Sequence, residues 1–381
     1  MTTKNEIKNK LILGDNLDIL KTLKDNSVDL IYIDPPFFSN KNYEVIWGDE
    51  AEIRSFEDRW EGGVQVYVEW MRERVRELYR VLKPTGSFYL HCDWHASHHL
   101  RIMLDEAFGA KHFQNEIIWH YNRWTAASGM FQRMHDNIYF YTKSDDYTFN
   151  KIFKEYSEAS KEAHEQRGFI QRGSFKSYPN PEGVSADDVW DINFPARSKE
   201  RLGYPTQKPE ALLEKIITVS SNKGDMVLDA FCGCGTSLAV AQKLGRHWVG
   251  IDISPTACRV MAQRLTDGFR LVEGKDFILS DLPKSEEELM KLPHFEFQNW
   301  AVIALGGIPN RIKVGDYGID GKLYPIEQER VKSDEKGLFG DIDIYYPIQV
   351  KQKDKAGRPD IDNFETAMRR DKRKRGYFIS F

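Results

Sequence analysis

Residues 226–236 read MVLDAFCGCGT, a short apolar strand followed by two glycines, Gly233 and Gly235, with one residue between them. A helical pattern begins at Thr236, and the next strand reaches Asp252, 17 residues after Gly235. Glycines at a strand-to-helix turn let the backbone approach a nucleotide-like ligand, and an acid at the next strand end can accept hydrogen bonds from ribose hydroxyls. A turn without a ligand, with Asp252 as a helix N-cap, is the alternative interpretation. The stretch predicts the ligand-binding edge of an α/β sheet.

Strands alternate with helices on both sides of this turn. The predicted strands are 10–13, 28–33, 87–91, 226–230 and 248–253, and the predicted helices are 17–23, 66–82, 209–221 and 236–244. Such alternation is typical of a parallel sheet with crossover helices. Residues 110–200 interrupt it with irregular sequence rich in aromatic and basic residues, and we interpret them as an insert.

A second turn, Asp34-Pro35-Pro36-Phe37, directly follows the predicted strand 28–33. It therefore lies at the carboxyl edge of the sheet, where α/β enzymes bind their ligands. Asp34 and the carbonyl of Pro35 are hydrogen-bond acceptors, and Phe37 offers a flat face on which a planar ring can stack. A rigid proline turn with a capping aspartate is the alternative. The glycine turn farther along the chain favours the functional interpretation.

Two further motifs accompany these turns: Gly14-Asp15-Asn16 near the start, and Tyr204-Pro205-Thr206-Gln207-Lys208-Pro209 before the helix that precedes the glycine turn. Their content and order resemble the β class of amino-methylating DNA methyltransferases, in which an Asp-Pro-Pro-Tyr/Phe tetrapeptide comes first and the cofactor turn last. The resemblance covers roughly residues 10 to 270. It implies a Rossmann-like fold that depends on S-adenosylmethionine, with 110–200 as the target-recognition insert of a domain spanning 1–280.

The resemblance also implies roles for individual residues. Asp34, Pro35, Pro36 and Phe37 would be catalytic. The cofactor would contact Asp15 near its adenine, Thr206 and Lys208 at its methionine end, Asp252 at its ribose, and the binding turn formed by Phe231, Gly233, Gly235 and Thr236.

An exocyclic amine is a poor nucleophile because its lone pair is delocalised into the ring. Acceptors such as Asp34 and the Pro35 carbonyl can bind its hydrogens and shift it towards tetrahedral geometry, while Phe37 stacks on a base flipped out of the duplex. Cytosine-specific relatives typically have serine in place of Asp34, so we predict methylation of adenine at N6. Methylation of cytosine at N4, or of RNA or a protein amide, remains the alternative.

Double-stranded DNA is the expected partner, although the net charge of −4 shows that any basic surface must be local. Candidate contacts to phosphates or guanine within the insert are Arg123, Arg133, Arg167, Arg172 and Lys176. The sequence leaves a homodimer open. It contains no apolar run long enough to span a bilayer, and four cysteines are too few for a disulfide framework, so we expect a cytoplasmic protein without a membrane partner.

A change of pattern after residue 280 predicts a linker at 281–293 and a second, smaller α/β unit at 294–381. Asp320, Gln349 and Lys351 resemble the Asp…Gln-x-Lys constellation of Mrr-like PD-(D/E)XK nucleases, with Glu296 or Glu327 as a further acid. The resemblance implies Mg²⁺ bound by Asp320 and Gln349, and a restriction-modification role for the whole chain. An inactive or truncated DNA-binding remnant is the alternative. A basic run, 369–375, would bind phosphates or form a solvated helix face.

Overall fold

The computed structural model describes residues 8–38, 63–122, 129–195, 198, 200–202, 206–280, 286–292, 294–305, 308–309, 319–323, 345–353 and 356–380. All structural statements below concern these residues. None of the helices in these ranges is both long enough and apolar enough to cross a membrane.

The strands are β1 (Lys10–Leu13), β2 (Val28–Ile33), β3 (Leu82–Cys92), β4 (Phe113–His120), β5 (His135–Thr142), β6 (Phe153–Lys154), β7 (Ile170–Arg172), β8 (Phe175–Ser177), β9 (Val184–Ser185), β10 (Val189–Asp191), β11 (Met226–Asp229), β12 (His247–Asp252), β13 (Ile278–Ser280), β14 (Ile308–Pro309), β15 (Gly321–Leu323), β16 (Tyr346–Lys351) and β17 (Tyr377–Ser380). The helices are α1 (Asn16–Thr22), α2 (Val64–Val81), α3 (Ser97–Phe108), α4 (Glu158–Arg167), α5 (Glu210–Ser220), α6 (Thr236–Lys243), α7 (Pro255–Phe269), α8 (Glu286–Met290), α9 (His294–Ala304) and α10 (Arg358–Arg370).

Nine strands form one sheet in the order β10-β4-β5-β3-β2-β11-β12-β1-β13. The pairs β2 with β3, β2 with β11, β11 with β12 and β12 with β1 are parallel, whereas β5 is antiparallel to both of its neighbours. A mostly parallel sheet needs helical crossovers, and these cover both of its faces. This confirms the predicted α/β class.

The core is divided between the two faces of the sheet, and strand β2 shows the division most clearly. Leu30 and Tyr32 belong to one cluster of buried side chains, which includes residues of α5, α6 and α7. Ile31 and Ile33 belong to a second cluster, which includes residues of α1, α2 and α3. Successive side chains of a strand point to opposite faces, so a strand buried on both faces must be apolar throughout.

The sequence predictions agree closely with the elements between β1 and β3 and between α5 and β12. One difference concerns residues 83–86, which fall between the predicted helix 66–82 and the predicted strand 87–91 but lie within β3. The pairing of β2 with β3 shifts between Val28 and Leu30, whose partners are Leu82 and Ser87. The Lys-Pro-Thr-Gly segment is thus a bulge that the strand accommodates without ending.

The region predicted as an irregular insert, 110–200, contributes β4, β5 and β10 to the large sheet. The remaining strands of this region form two small pairs, β6 with β9 and β7 with β8. The sheet therefore extends farther than the sequence pattern indicated. The boundaries of the insert and of the domains 1–280, 281–293 and 294–381 stay a prediction.

The C-terminal part contains a four-stranded sheet in the order β14-β15-β16-β17, with β16 and β17 parallel. Its buried cluster comprises Leu289, Phe297, Ala301, Val302, Ile348 and Val350, and shares no residue with the two clusters of the large sheet. Helix α10 ends at Arg370, so most of the basic run 369–375 follows the helix; the prediction of a solvated helix face for the whole run was wrong. The alternative that this run binds phosphates stays a prediction.

Candidate active site

The carboxyl ends of β2 and β11 lie side by side at the centre of the large sheet. From β2 the chain continues to β3 on one side, and from β11 it continues to β12 on the other. The two following loops therefore diverge and leave a crevice between them, as at the switch point of doubly wound sheets. The turn beginning at Asp34 and the turn containing Gly233 flank this crevice.

A cleft open to solvent occupies this position. Six of the residues predicted for the site line it: Asp34, Thr206, Lys208, Phe231, Gly233 and Thr236. Its other lining residues are Tyr32, Gln207, Leu213, Asp229, Cys232, Cys234 and Ser237. The structure thus brings the two turns and the Thr-Gln-Lys segment around one space, although the roles of the individual residues stay predictions.

The glycine turn is tied to the next strand by Asp252. Its Oδ2 accepts a hydrogen bond from the Gly233 amide at 2.7 Å, and its Oδ1 accepts one from the Ser254 amide at 2.9 Å. Burial raises the pKa of Asp252 against these hydrogen bonds. The N-cap of α7 is Ser254, so the alternative N-cap role for Asp252 was wrong. A carboxylate has about four acceptor positions, which leaves room for ribose hydroxyls.

Gly235 is the N-cap residue of α6 and has a φ of +71°, in the left-handed region. A Cβ atom at this position would lie 2.4 Å from Cγ of Met261, a side chain that is fully buried. Both the backbone angle and the packing of α7 against the turn therefore require glycine here.

Asp34 forms an ion pair with Lys208 through Oδ2. Its other oxygen, Oδ1, is buried and accepts no hydrogen bond from the described part of the chain. Lys208 Nζ also lies 5.5 Å from the centre of the Phe37 ring. The lysine predicted for the methionine end of the cofactor thus contacts the predicted catalytic turn, a contact that sequence reasoning did not foresee. A buried acceptor without a donor is costly and marks a position where a ligand hydrogen can bind.

Sequence reasoning also missed the buried His91 and its partner Asp136. Nδ1 of His91 lies 3.3 Å from Asp34 Oδ1 and 3.2 Å from the Tyr32 hydroxyl, and its Nε2 lies 3.2 Å from Asp136 Oδ2. The signal was present, because His91 is a polar residue near the end of an apolar strand. Asp136 could not be found in this way, since its position depends on the pairing of β3 with β5.

Asp15 is not among the residues that line this cleft, and its predicted contact with the cofactor adenine stays a prediction. It caps α1 by accepting a hydrogen bond from the Leu17 amide, and it forms an ion pair with Arg74 at 3.0 Å. Nε of Arg74 donates to Asn16 Oδ1, and the Asn16 amide donates to the Ala230 carbonyl. This chain of contacts links α2, through Asn16 at the start of α1, to the residue after β11.

Asp229 at the end of β11 is a buried acid that sequence reasoning also left without a role. Burial raises its pKa to about 7, against hydrogen bonds from the Ser237 hydroxyl and the Phe231 amide. Burial likewise raises the pKa of the Cys232 and Cys234 thiols, which keeps both uncharged beside the cleft.

Among the basic candidates of the insert, Arg133 stacks on the half-exposed ring of Trp94 at 3.9 Å, and Lys176 lies 4.4 Å from the Phe169 ring centre. Arg167 lies in the last turn of α4. Arg123 and the side chain of Arg172 fall outside the described residues.

In the C-terminal part, Asp320 Oδ1 accepts a hydrogen bond from Gln298 at 3.1 Å, and Oδ2 accepts one from the Val350 amide at 2.7 Å. Gln349 is 3% exposed, and its Oε1 has no hydrogen-bond partner among the described residues. Lys351 ends β16. Glu327 and the side chain of Glu296 lie outside the described residues, which include no group of three or more metal-binding side chains.

A mostly parallel sheet with a glycine turn and an acid at its switch point defines an α/β enzyme that binds a nucleotide-like cofactor. The family profile described as DNA methylase, which covers the N6 and N4 methyltransferases, matches residues 28–264. The chain belongs to this family and is a DNA methyltransferase.

Two curated relatives are similar over most of their length. The type II methyltransferase M.HpaI of Haemophilus parainfluenzae is 30% identical over 295 residues, which are 76% of this chain and 85% of that protein. The DNA adenine methyltransferase YhdJ of Escherichia coli (strain K12) is 33% identical over 268 residues, which are 68% of this chain and 83% of that protein. Among solved structures, the PvuII DNA methyltransferase (cytosine-N4-specific) aligns with a TM-score of 0.49 and 16% identity, covering 78% of this chain and 93% of that one.

Proposed function

We propose that this DNA methyltransferase transfers a methyl group from S-adenosylmethionine to the N6 amine of adenine. The observation that carries the proposal is the Asp34 carboxylate beside the cleft, with a buried Oδ1 that accepts no hydrogen bond from the described residues. An amine hydrogen is the donor that such an oxygen lacks.

The residues around the cleft fit the proposed cofactor. Gly233 and Gly235 keep side chains away from the turn, Phe231 and Thr236 line the same space, and Asp252 can accept from a ribose. Thr206 and Lys208 would face the methionine end, where the lysine can pair with a carboxylate. Once bound, the cofactor supplies an electrophilic methyl group on its sulfonium.

The chain's own residues would act on the target base. Asp34 and the Pro35 carbonyl accept hydrogen bonds from the exocyclic amine, which localises its lone pair and orients it towards the methyl group. Pro35 and Pro36 restrict the turn that carries these acceptors, and Phe37 stacks on the flipped base. Asp34, in place of the serine typical of cytosine-specific relatives, favours adenine, as does the activity named for YhdJ.

The test is incubation of the purified protein with labelled S-adenosylmethionine and unmethylated DNA, followed by digestion and mass spectrometry of the nucleosides. We expect N6-methyldeoxyadenosine from the wild type and a loss on the order of a thousandfold in Asp34→Ala. Asp18→Ala, an exposed acid on α1, is the control. Labelled N4-methyldeoxycytidine would be consistent with the proposed mechanism but would contradict adenine as the target base. A protein that labels RNA or a protein amide instead would refute the proposed substrate.

A second activity is supported by the contacts of Asp320 and by the buried, unpartnered Oε1 of Gln349. We propose a nuclease-type site in which Asp320 and Gln349 hold a divalent cation such as Mg²⁺ and Lys351 stabilises charge near an attacking water. Together with methylation it would serve restriction and modification of double-stranded DNA in the cytoplasm, by a monomer or a homodimer.

The nuclease proposal is tested by Mg²⁺-dependent cleavage of unmethylated plasmid. We expect cleavage by the wild type and by Asp34→Ala, and none by the Asp320→Ala, Lys351→Ala double variant. Cleavage that persists in the double variant, or its absence from the wild type, would reject this site.

A further inference from the structure

An arginine of α7, Arg264, lies against the glycine turn with a side chain that is only 8% exposed. Its Nη1 donates to Oγ1 of Thr236 at 3.2 Å and lies 3.4 Å from the carbonyl oxygen of Cys234. Its Nη2 donates to Oε1 of Glu210 at 2.7 Å. A charged group with so little contact with water needs partners of this kind. One guanidinium therefore joins α7 to the glycine turn and to the first residue of α5.

The residues that Arg264 joins belong to two parts of the cleft lining. Cys234 and Thr236 line the cleft themselves, and Glu210 directly follows the segment 206–209, whose first three residues also line it. Arg264 is not among the lining residues, so it can act on a ligand there only through its charge or through its partners. The carboxylate of Glu210 balances its charge, which leaves the hydrogen bonds to the turn as the main route.

The contact with Arg264 decides how the hydroxyl of Thr236 can be used. A guanidinium has donors and no acceptor, so Oγ1 of Thr236 must be the acceptor in this hydrogen bond. The hydroxyl keeps one hydrogen to donate, and Thr236, which is buried, lines the cleft. Its other side-chain partner among the described residues is Sγ of Cys234 at 3.8 Å, and a thiol is a weak donor and acceptor. The hydrogen is therefore available to a stronger acceptor that enters the cleft.

A carboxylate suits this hydrogen best, because a hydrogen bond to an ionised oxygen is about twice as strong as one between neutral groups. The methionine end of S-adenosylmethionine carries such a carboxylate. We propose that Arg264 is a positioning residue that holds Thr236 as an acceptor and thereby presents the Thr236 hydroxyl hydrogen to the carboxylate of the bound cofactor. This inference rests on the proposed function and its cofactor site, and it adds a residue that supports the site without lining it.

The test compares two ligands that differ by one group. S-adenosylmethionine and its decarboxylated form share the adenosine and the sulfonium, but only the first has a carboxylate. In isothermal titration calorimetry, Arg264→Met should raise the dissociation constant of S-adenosylmethionine about tenfold and change that of the decarboxylated form less than about twofold. Arg76→Met, the same substitution at an exposed position of α2, is the control and should change neither constant.

A second variant keeps the test decisive if the loss of a buried cation impairs folding. Thr236→Val removes the hydroxyl but leaves Arg264 paired with Glu210, and it should show the same selective loss. Near-ultraviolet circular dichroism verifies that the variants are folded. In the double variant Arg264→Met, Thr236→Val, the loss should not exceed that of Thr236→Val alone, because both changes remove one and the same interaction.

Equal weakening of both ligands by Arg264→Met would show a purely structural role. Losses that multiply in the double variant would show that Arg264 does not act through Thr236. Either result, or wild-type binding by Thr236→Val, would overturn the inference. Binding is measured without DNA, so a protein that binds S-adenosylmethionine as expected but forms no methyladenine would contradict the proposed function and leave this inference intact. A wild type that binds neither ligand would reject the cofactor site and the inference together.

Discussion

At the scale of single residues, the cofactor turn depends on a contact that only glycine permits. Gly235 combines a φ of +71° with a Cβ position 2.4 Å from Met261 Cγ. Gly224 has a similar φ of +88° but open space around its Cβ position. The two positions therefore allow the cost of the backbone angle to be separated from the cost of the packing.

We expect Gly224→Ala to lower the free energy of unfolding by about 1 kcal/mol, the cost of a left-handed backbone for alanine. Gly235→Ala should lose about 1–3 kcal/mol more, because the new methyl group displaces Met261 in a packed core. Denaturant titration measures both, and calorimetry should show weakened cofactor binding only in Gly235→Ala. Equal losses in the two variants would contradict the packing argument.

Asp229 predicts a pH dependence of stability. Its pKa in the folded protein, about 7, lies above its value near 3.8 in an unfolded chain. The folded state therefore binds the proton more tightly, and the free energy of unfolding should fall as pH rises from about 4 to 7, by a few kcal/mol in total.

The measurement is the difference in unfolding free energy between the wild type and Asp229→Asn over this pH range. The variant has no such proton to lose, so the wild type should lose stability relative to it with rising pH. Asp267→Asn, an exposed acid of α7, should run parallel to the wild type. If the unfolding free energies of Asp229→Asn and the wild type also ran parallel with pH, ionising Asp229 in the folded protein would cost little free energy.

At the scale of elements, helix α2 is fixed to the site by one buried arginine. Arg74 is 4% exposed at its side chain, pairs with Asp15 and donates to Asn16, which in turn contacts the residue after β11. Arg76 lies on the same helix with an exposed side chain. The helix thus contains a matched pair of arginines that differ in burial and contacts.

Arg74→Met should lower the free energy of unfolding by about 3 kcal/mol, because Asp15 and Asn16 lose a charged, buried partner. Arg76→Met should change it by less than about 0.5 kcal/mol, as for most surface sites. Chemical denaturation followed by circular dichroism distinguishes the two. A loss in Arg76→Met as large as that in Arg74→Met would show that the effect belongs to the helix and not to the buried contact.

The local sequence pattern predicted a strand or helix well where that element's own residues show a clear hydrophobic periodicity or an apolar run. β1 and β2 are apolar runs bounded by turns, and the predicted and observed bounds coincide. Strands β4, β5 and β10 were missed because aromatic and polar residues share them and because their pairing is non-local. The same reason hid Asp136, whereas Asp34 and the glycine turn were recognisable because each contains its chemistry within a few consecutive residues.

At the scale of the whole molecule, the buried side chains fall into separate clusters. Phe277 belongs to the core of the large sheet and Phe297 to that of the C-terminal part, and both are fully buried. The two parts also touch, since α9 packs against α7. Replacing either phenylalanine by alanine removes a phenyl ring, in one case from the core of the large sheet and in the other from the core of the C-terminal part.

We expect Phe297→Ala to destabilise the C-terminal part by about 3–5 kcal/mol and to reduce methyl transfer less than about twofold. Phe277→Ala should lower the unfolding temperature of the large domain and methyl transfer with it. Scanning calorimetry with the methyl-transfer assay measures both. Equal loss of methyl transfer in the two variants would mean that the cores fold as a single cooperative unit.

The ion pair between Lys208 and Asp34 joins the segment proposed for the cofactor to the residue proposed for the base. A ligand that forms an ion pair or hydrogen bond with one of these side chains changes the electrostatic potential at the other. Binding of the cofactor and binding of DNA are therefore linked by a coupling free energy. Such coupling is reciprocal. If bound cofactor changes the dissociation constant of DNA by some factor, bound DNA must change the dissociation constant of the cofactor by the same factor. Neutralising Lys208 should bring this factor closer to one.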